Sequence, residues 1–321
     1  MSSTTMNPVY AIPTTLDEWT LTASLADYSK TLVDNVYDAN VVLRMLKDNK
    51  KTIDGGNSIV VNLLKEEQDD GGFYKGADTL NTAQGNYVTQ CEYRWQNVYE
   101  PIVMHRDEER QNSGQSHQII SLAASKAESS EKAIAKRMEQ ALSVPTVAAG
   151  ELIDLDTLVD TGTLGSIAGG TYPFWQATET SSGAFATQGL TDMTTATYAV
   201  SSSANEDNPT VYLTNKTIFQ KFEQTRLSLE RISNGTLDAN AGFKNLTFKG
   251  VPVVYGNYIG AGKMYGLNMN YIQLAVDSAT DFAMTEFASP VNQTIKVAYI
   301  LFRGNLITDN RRRNFKLTDI S

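Results

Sequence analysis

Hydrophobic spacing changes character several times along the chain, and each change predicts an element. Thr15-Leu16-Asp17-Glu18 has the capping-box pattern, and Leu25, Tyr28, Leu32, Val36 and Leu43 follow at roughly helical spacing. A helical arm, continuous or broken, is expected over residues 15–48. Gly55-Gly56 then interrupts the chain before Ile59, Val60, Val61, Leu63 and Leu64, a β-prone run leading into the acidic, glycine-tipped stretch from Glu66 to Gly72. From Tyr87 to Glu100 the period becomes two. Tyr87, Cys91, Tyr93, Trp95 and Tyr99 share one face, and Gln90, Glu92, Arg94, Gln96 and Glu100 the other. A strand of that length reaches on the order of 45 Å, too long for a small compact domain. We therefore expect it to project, paired with the preceding strand as an extended flap. Such a flap leaves its aromatic face for something outside the chain to cover, and a neighbouring copy is the natural cover.

Past Asn112-Ser113-Gly114 the period becomes helical. Ile120, Ala124, Ala127, Ile134, Met138 and Leu142 form a stripe among Lys126, Glu128, Glu131, Lys132, Lys136, Arg137 and Glu139, and Pro145 ends it. About 30 residues at 1.5 Å rise predict a strut roughly 45 Å long, with Glu128 and Lys132 paired on one face. From Gly150 to about Ser203 the chain turns to Thr, Ser and Gly, and irregular structure with local anchors is expected. Asn208 to Leu213 reads as a turn and strand. A helix with the stripe Ile218, Phe222, Thr225, Leu229 and Ile232 follows, stopping near Asn234-Gly235. Four more strands are predicted, around residues 246–259, 264–275, 280–288 and 294–303, with Gly250, Pro252, Gly256, Gly260 and Pro290 at turns or edges. The class is α+β, without an internal repeat.

Composition narrows the function. The 321 residues are 41% hydrophobic, enough for a large core, and only 20% charged. A net charge of -9 argues against wrapping nucleic acid through clustered Lys and Arg. The single cysteine, Cys91, excludes an intrachain disulfide. The opening residues lack a signal-peptide pattern, and no run approaches a membrane span, so assembly in a reducing cytoplasm without membrane is expected. Four Asn-X-Thr sequons are chance matches on this reading.

Candidate chemistry is sparse. The histidines are His105 and His117, with neither an H-E-x-x-H pair nor a G-x-S-x-G elbow. Gly256 to Met264 superficially resembles a phosphate loop, but its spacing is one residue too long and Met264 stands where a hydroxyl is required. Asp154-Leu155-Asp156 starts like a calcium loop, but Leu158, Val159 and Gly165 occupy positions that need an oxygen ligand, glycine and glutamate. No catalytic residue, metal or cofactor is expected, and the chain is read as non-enzymatic. Arg311-Arg312-Arg313 is the one basic cluster; we expect a solvated patch or a partner for a neighbour's acids, rather than a DNA contact.

The order of arm, flap, strut and β-rich remainder has further landmarks. These are Gly55-Gly56, Trp95, Glu109, Asn112-Ser113-Gly114, Gly165-Ser166-Ile167, Tyr172-Pro173-Phe174-Trp175, Asn208-Pro209-Thr210-Val211-Tyr212, Gly250-Val251-Pro252-Val253 and Asn305-Leu306-Ile307-Thr308. Taken in order, they resemble the major capsid proteins of tailed bacteriophages with the Hong Kong 97 fold, over nearly the whole chain. The resemblance implies an N-terminal arm (1–50), an extended loop with flanking strands (51–112), the spine helix of a peripheral domain (113–148), an axial domain (149–288) and a C-terminal return to the peripheral domain (289–321).

It further implies a subunit of an icosahedral virion shell, built from pentamers and hexamers of itself in the host bacterial cytoplasm. Portal and separate scaffolding proteins would be partners, with a decoration protein as a further possible one and packaged double-stranded DNA in loose contact. The inter-subunit contact candidates are Tyr87, Tyr93, Trp95, Tyr99, Lys65, Lys75, Arg311, Arg312 and Arg313. Some members of the family weld subunits through a Lys-Asn isopeptide bond. Lys65 and Lys75 lie on the flap, but no acceptor is identifiable here, and an uncrosslinked shell is expected. The alternatives are an encapsulin-like or gene-transfer-particle shell and, from another class, a β-rich tail or adhesion subunit.

Overall fold

The computed structural model describes Val36 and residues 40–65, 73–76, 87–112, 116–145, 150–201, 207–233, 246–290 and 293–321. Most of the expected arm (15–35 and 37–39), the flap tip (66–72 and 77–86), and the Ser113-Gly114 and Asn234-Gly235 landmarks lie outside these residues.

The first elements are α1 (Val41–Lys47), β1 (Lys50–Ile53), β2 (Ser58–Leu64), β3 (Val88–Arg94), β4 (Gln96–His105), α2 (Arg106–Asn112) and the strut α3 (Ser116–Ser143). Then come α4 (Leu155–Leu158), a small hairpin of β5 (Thr163–Leu164) and β6 (Ile167–Ala168), β7 (Thr178–Ser181) and α5 (Leu190–Val200). The remainder is β8 (Val211–Thr214), α6 (Lys216–Ser233), β9 (Thr247–Phe248), β10 (Val251–Tyr255), β11 (Met264–Leu267), β12 (Ile272–Asp277), β13 (Ala283–Met284), β14 (Ile295–Thr308) and β15 (Phe315–Thr318).

Two sheets carry the body. The five-stranded sheet runs β1-β12-β14-β13, with β4 also paired to β14; the six-stranded sheet runs β7-β15-β11-β8-β10-β9. The strut lies along β4. Lys126 Nζ donates to the Val103 carbonyl at 3.0 Å, Ser130 Oγ to that of Pro101 at 3.2 Å, and Arg137 pairs with Glu100 at 3.2 Å. Its inner stripe Ala127, Ile134, Met138 and Leu142 is buried together with Ile102, Ile300 and Phe302 of the sheet and Leu43 and Leu46 of α1. The six-stranded sheet has its own packing around Tyr212, Phe222, Phe248 and Phe315.

Several expectations need correction. The alternation from Tyr87 to Glu100 is two strands: β3 pairs with β2, while β4 pairs with β14 over its whole 10-residue length. Period two reports which residues share a face, not which partner each half chooses, and the change of partner falls at Trp95. Residues 264–275 likewise divide into β11 and β12, in different sheets, because the Asn268 side chain accepts from the Asn270 amide and turns the chain between them. The 246–259 candidate folds into β9 and β10 around Lys249 and Gly250, both in the left-handed region, and the 280–288 candidate keeps only Ala283–Met284 as a strand. In the stretch expected to be irregular, α5 is an 11-residue helix. Its threonines read as strand or loop formers, but Thr194 and Thr197 donate back to the carbonyls of Leu190 and Met193, and Met193, Ala196 and Val200 are buried. The sheets also straddle the division expected at residue 288: β12 belongs to the five-stranded sheet and β15 to the six-stranded one.

Within the strut, a buried and an exposed residue should behave oppositely. Met138→Ala is expected to lower the unfolding free energy in urea by about 2–5 kcal/mol, because it empties a fully buried site. Lys132→Ala should leave the urea midpoint unchanged, since both members of its 2.6 Å pair with Glu128 are largely exposed.

Candidate inter-subunit surface

The ribbon of β2 and β3 is in register from Ser58 opposite Arg94 to Leu64 opposite Val88. Its inner face is covered, but by this chain's own body. Ile59, Leu63, Cys91 and Tyr93 are buried with Leu164, Ile167, Trp175 and Ile307. That overturns the expectation of an aromatic face awaiting a neighbour. The clamp is the β5–β6 turn, where the Gly165 carbonyl accepts from the Glu92 amide at 3.0 Å. A Cβ on Gly165 would lie 1.9 Å from Cys91 Sγ, and its φ of +57 also suits glycine. Tyr93 Oη donates to the Thr308 carbonyl at 2.9 Å, Asn305 Nδ2 to that of Arg94 at 2.8 Å, and Trp175 Nε1 to that of Leu164 at 3.0 Å. Burial pushes the Cys91 thiol up to about 11 and the Tyr93 phenol upward as well, so neither ionises near neutrality.

The outward residues are different ones. Val60, Leu64 and Val88 on the ribbon are 50%, 66% and 59% exposed, with Leu64 directly opposite Val88, and Phe73 and Tyr74 are also exposed. On the five-stranded sheet, exposed Tyr99 and Tyr299 meet edge to face at 6.2 Å beside exposed Pro101. Of the expected contact residues, then, Tyr99 and Lys75 are exposed, Tyr87 is half-buried and Tyr93 is fully buried. Trp95 is half-buried with the Arg303 guanidinium 4.9 Å above its ring, and the Lys65 ammonium sits 5.5 Å over Tyr172. Val60, Leu64, Val88 and Tyr299 were missed. Val88 lay on the face of the alternation that had been read as polar, whereas Val60 and Leu64 sat in a run read only as apolar and Tyr299 in a strand to which no face was assigned.

The basic triplet is not one patch. Arg311 is fully buried, and its guanidinium donates to the carbonyls of Leu158 at 2.7 Å, Gly162 at 2.6 Å, Trp175 at 3.3 Å and Thr157 at 2.7 Å. It closes the C-terminal end of α4, where carbonyls lack helical partners. Arg313 donates to the Val200 carbonyl at 2.9 Å and lies 3.8 Å from Asp207. Only Arg312 is exposed, which corrects the expectation of a solvated cluster. A lone sequence cannot show that a loop's carbonyls converge on one arginine.

The densest charge group among the described residues is also structural in form. Lys316, 6% exposed, lies 3.6 Å from Asp156, 3.3 Å from Asp160 and 3.5 Å from Glu179, and Asp156 also takes bonds from Lys263 at 2.8 Å and Tyr265 at 3.0 Å. Burial would raise Asp156, but the two lysines hold it below the usual carboxylate range. Among the described residues, no group of three or more His, Cys, Asp and Glu side chains is arranged to hold a metal, and no helix is long and apolar enough to cross a membrane. His105 is exposed on β4.

The strut laid on one sheet, the ribbon leaving its edge and the separate six-stranded layer define the Hong Kong 97 capsid fold. Solved structures with this arrangement include the cyanophage A-1(L) capsid asymmetric unit, at 16% identity and TM-score 0.60, covering 87% of this chain and 92% of that one. The capsid of the native GTA particle matches at 12% identity and TM-score 0.59, over 86% of this chain and 90% of that one. The capsid of Myoviridae phage XM1 matches at 13% identity and TM-score 0.56, over 86% and 91% respectively. No family model and no curated protein matches the sequence.

Two experiments separate the buried groups from their exposed neighbours. Arg311→Ala should cost about 3 kcal/mol or more in urea unfolding, since it strands several buried carbonyls, while Arg312→Ala should cost nothing measurable. Cys91 should resist iodoacetamide at pH 8 in the native protein and alkylate once the protein is unfolded, as mass spectrometry would register.

Proposed function

We propose that this chain is a capsid shell subunit, the major capsid protein of a tailed bacteriophage, which acts as a structural protein and not as an enzyme. One observation carries the reading: 86–87% of the chain superposes on capsid chains that it barely resembles in sequence. On this reading the segment before α1 is the arm, the β2–β3 ribbon belongs to the extended loop, α3 is the spine, and the six-stranded sheet is the heart of the axial domain. The five-stranded sheet then belongs to the peripheral domain, with β12 and β15 exchanged across the boundary inferred from sequence.

Contacts between copies fall on the exposed residues: Val60, Leu64 and Val88 with Phe73 and Tyr74, Tyr99 with Tyr299 on the sheet, and Lys75 and Arg312 at the rim. Portal, scaffolding and decoration proteins and packaged DNA are the further partners, and the virion shell assembled in a bacterial cytoplasm is the location. A cargo shell is the runner-up, because a virus-like particle from Pyrococcus furiosus has the same fold at 11% identity and TM-score 0.55, covering 91% of this chain and 98% of that one. Whether purified particles hold phage genome, host DNA or cargo protein separates the readings.

Expressed and concentrated, the protein is expected to form closed shells or tubes in negative stain. Leu64→Asp with Val88→Asp, and separately deletion of residues 66–86, should leave a soluble subunit of native circular dichroism that forms no regular shell. Wild-type shells from both variants would overturn the assignment of contacts to the ribbon.

A further inference from the structure

A strand at the edge of a sheet carries a row of amides and carbonyls that no sister strand takes, and folded proteins guard such edges with charge, proline, a bulge or a covering segment. The edge of β4 is guarded. Its outward carbonyls at Val103 and Pro101 accept from Lys126 and Ser130 of the strut, and Pro101 has no amide to offer. The edges of β1 and β7 are four residues long and those of β9 and β13 two, too short to seat another strand firmly. The ribbon is different. On β3 the Glu92 amide points away from β2 and is taken by the Gly165 carbonyl at 3.0 Å. Glu92 lies opposite Val60, and opposed residues of an antiparallel pair turn their backbone groups both inward or both outward. Val60, and with it Ser58, Asn62 and Leu64, therefore point amides and carbonyls away from β3. Lys65 has the opposite phase, its amide donating to the Tyr87 carbonyl across the ribbon at 2.7 Å. No described residue bonds to the outward backbone groups of β2. Ser58 to Leu64 contains neither charge nor proline and keeps unbroken register with β3, so nothing of the usual kind guards this edge.

Access and symmetry say what fits it. The polar ties from ribbon to body described above, at Glu92, Tyr93 and Arg94, all fall on β3, so the body is fastened to the β3 side and the β2 side is left for approach. A strand without charge can lie against itself without repulsion. With Asn62 on a two-fold axis, an antiparallel second β2 sets Val60 opposite Leu64 of the second copy and Asn62 opposite Asn62, each pair exchanging both of its hydrogen bonds. The outer face then reads Val88, Leu64 and Val60 of the second copy in one row, an apolar run across three strands. In the middle row Asn62 Oδ1 already accepts from Gln90 Nε2 at 3.2 Å, which leaves Asn62 Nδ2 to donate across the axis. On the inner face, half-buried Val61 meets Leu63 of the second copy. A register one residue shorter on each side of the axis would oppose Val60 to Asn62 and lose this sorting of apolar with apolar. Because the edge of β3 is closed by Gly165, such pairing consumes both open edges and stops at two copies.

We propose that the β2 edge is a two-fold docking site for the β2 edge of a second copy of this chain, joining two ribbons into one four-stranded sheet centred on Asn62. The pairing stands on the geometry of the strand; its place in a shell, as a link across a two-fold axis, rests on the capsid reading.

Cysteine crosslinking of the full chain tests the pairing. Across the axis the two Asn62 Cα atoms would lie about 5.5 Å apart, a spacing that a disulfide accepts. The two Gln90 Cα atoms, three strand spacings apart, would lie about 14 Å from each other, beyond its reach. Under mild oxidation Asn62→Cys is therefore expected to run mostly as a dimer on a non-reducing gel, and Gln90→Cys, at an equally exposed position, as a monomer. Buried Cys91 is common to both. A monomer from Asn62→Cys, or as much dimer from Gln90→Cys, overturns the pairing. Hydrogen exchange gives a second readout. In concentrated wild-type protein the Val60, Asn62 and Leu64 amides should exchange about tenfold slower or more than in dilute protein, while those of Ile59, Val61 and Leu63, already bonded to β3, stay unchanged. Asn62→Lys, which sets like charges across the axis, should abolish the slowing. Unchanged exchange at all three outward amides overturns the proposal. Slowing without a dimer from Asn62→Cys means that a different strand occupies the edge, and overturns it too. Crosslinked dimers from a protein that forms no shells would keep the pairing and remove the capsid reading, whereas regular shells without the crosslink would do the reverse.

Discussion

The long antiparallel strand β14 is the constraint on which the other elements depend. Over 14 residues it takes β4 along one edge and β12, then β13, along the other. Through β4 it sets the strut, whose lysine and serine side chains bond to β4 carbonyls. Through β12 it sets β1 and the C-terminal end of α1. Its own last residues, Asn305, Ile307 and Thr308, receive the ribbon by holding Arg94 and Tyr93. A strand with so many dependants cannot slip by one residue, because every alternate side chain would change faces. Ala298, Ile300 and Phe302 point to the packed side and Tyr299 to solvent, which fixes that register.

What the sequence revealed about the fold followed from periodicity, and what it hid followed from partner choice. The strut was legible because its stripe persists for many turns, and α6 because a strand and a punctuating Asn-Gly frame it. α5 was hidden because its burial, not its threonine-rich composition, makes it helical. The break at Trp95 was hidden because both halves alternate equally well. Leu63 and Leu64 show the limit for the contact surface. Adjacent leucines on a strand must face opposite ways, so one of them was always going to be exposed, but only the β5–β6 turn decides that it is Leu64.

That decision alters the physics of any contact between copies. Had the aromatic face of the ribbon been open, a neighbour would have gained a continuous apolar seam. With that face folded onto Trp175 and Ile307, the outer face offers Val60, Leu64 and Val88 interrupted by Asn62, Gln90, Glu92 and Arg94. Apolar residues so divided by polar ones make a modest contact, reversible on its own and strong only when repeated in many copies.

A self-covered ribbon also carries motion in a particular way. Its base is bonded to β14 and to the Gly165 turn, so it moves with the five-stranded sheet and not as a free flap. The strut rides on the same sheet and presents Glu139 to α1 at its other end. A shift of the strut along β4 would therefore reach the first turn of α1 through the two hydrogen bonds to Glu139, while the ribbon base stayed with β14. The first turn of α1 and the base of the ribbon are thus anchored to different members of one packed pair, strut and sheet. Their relative geometry depends on how that pair is seated.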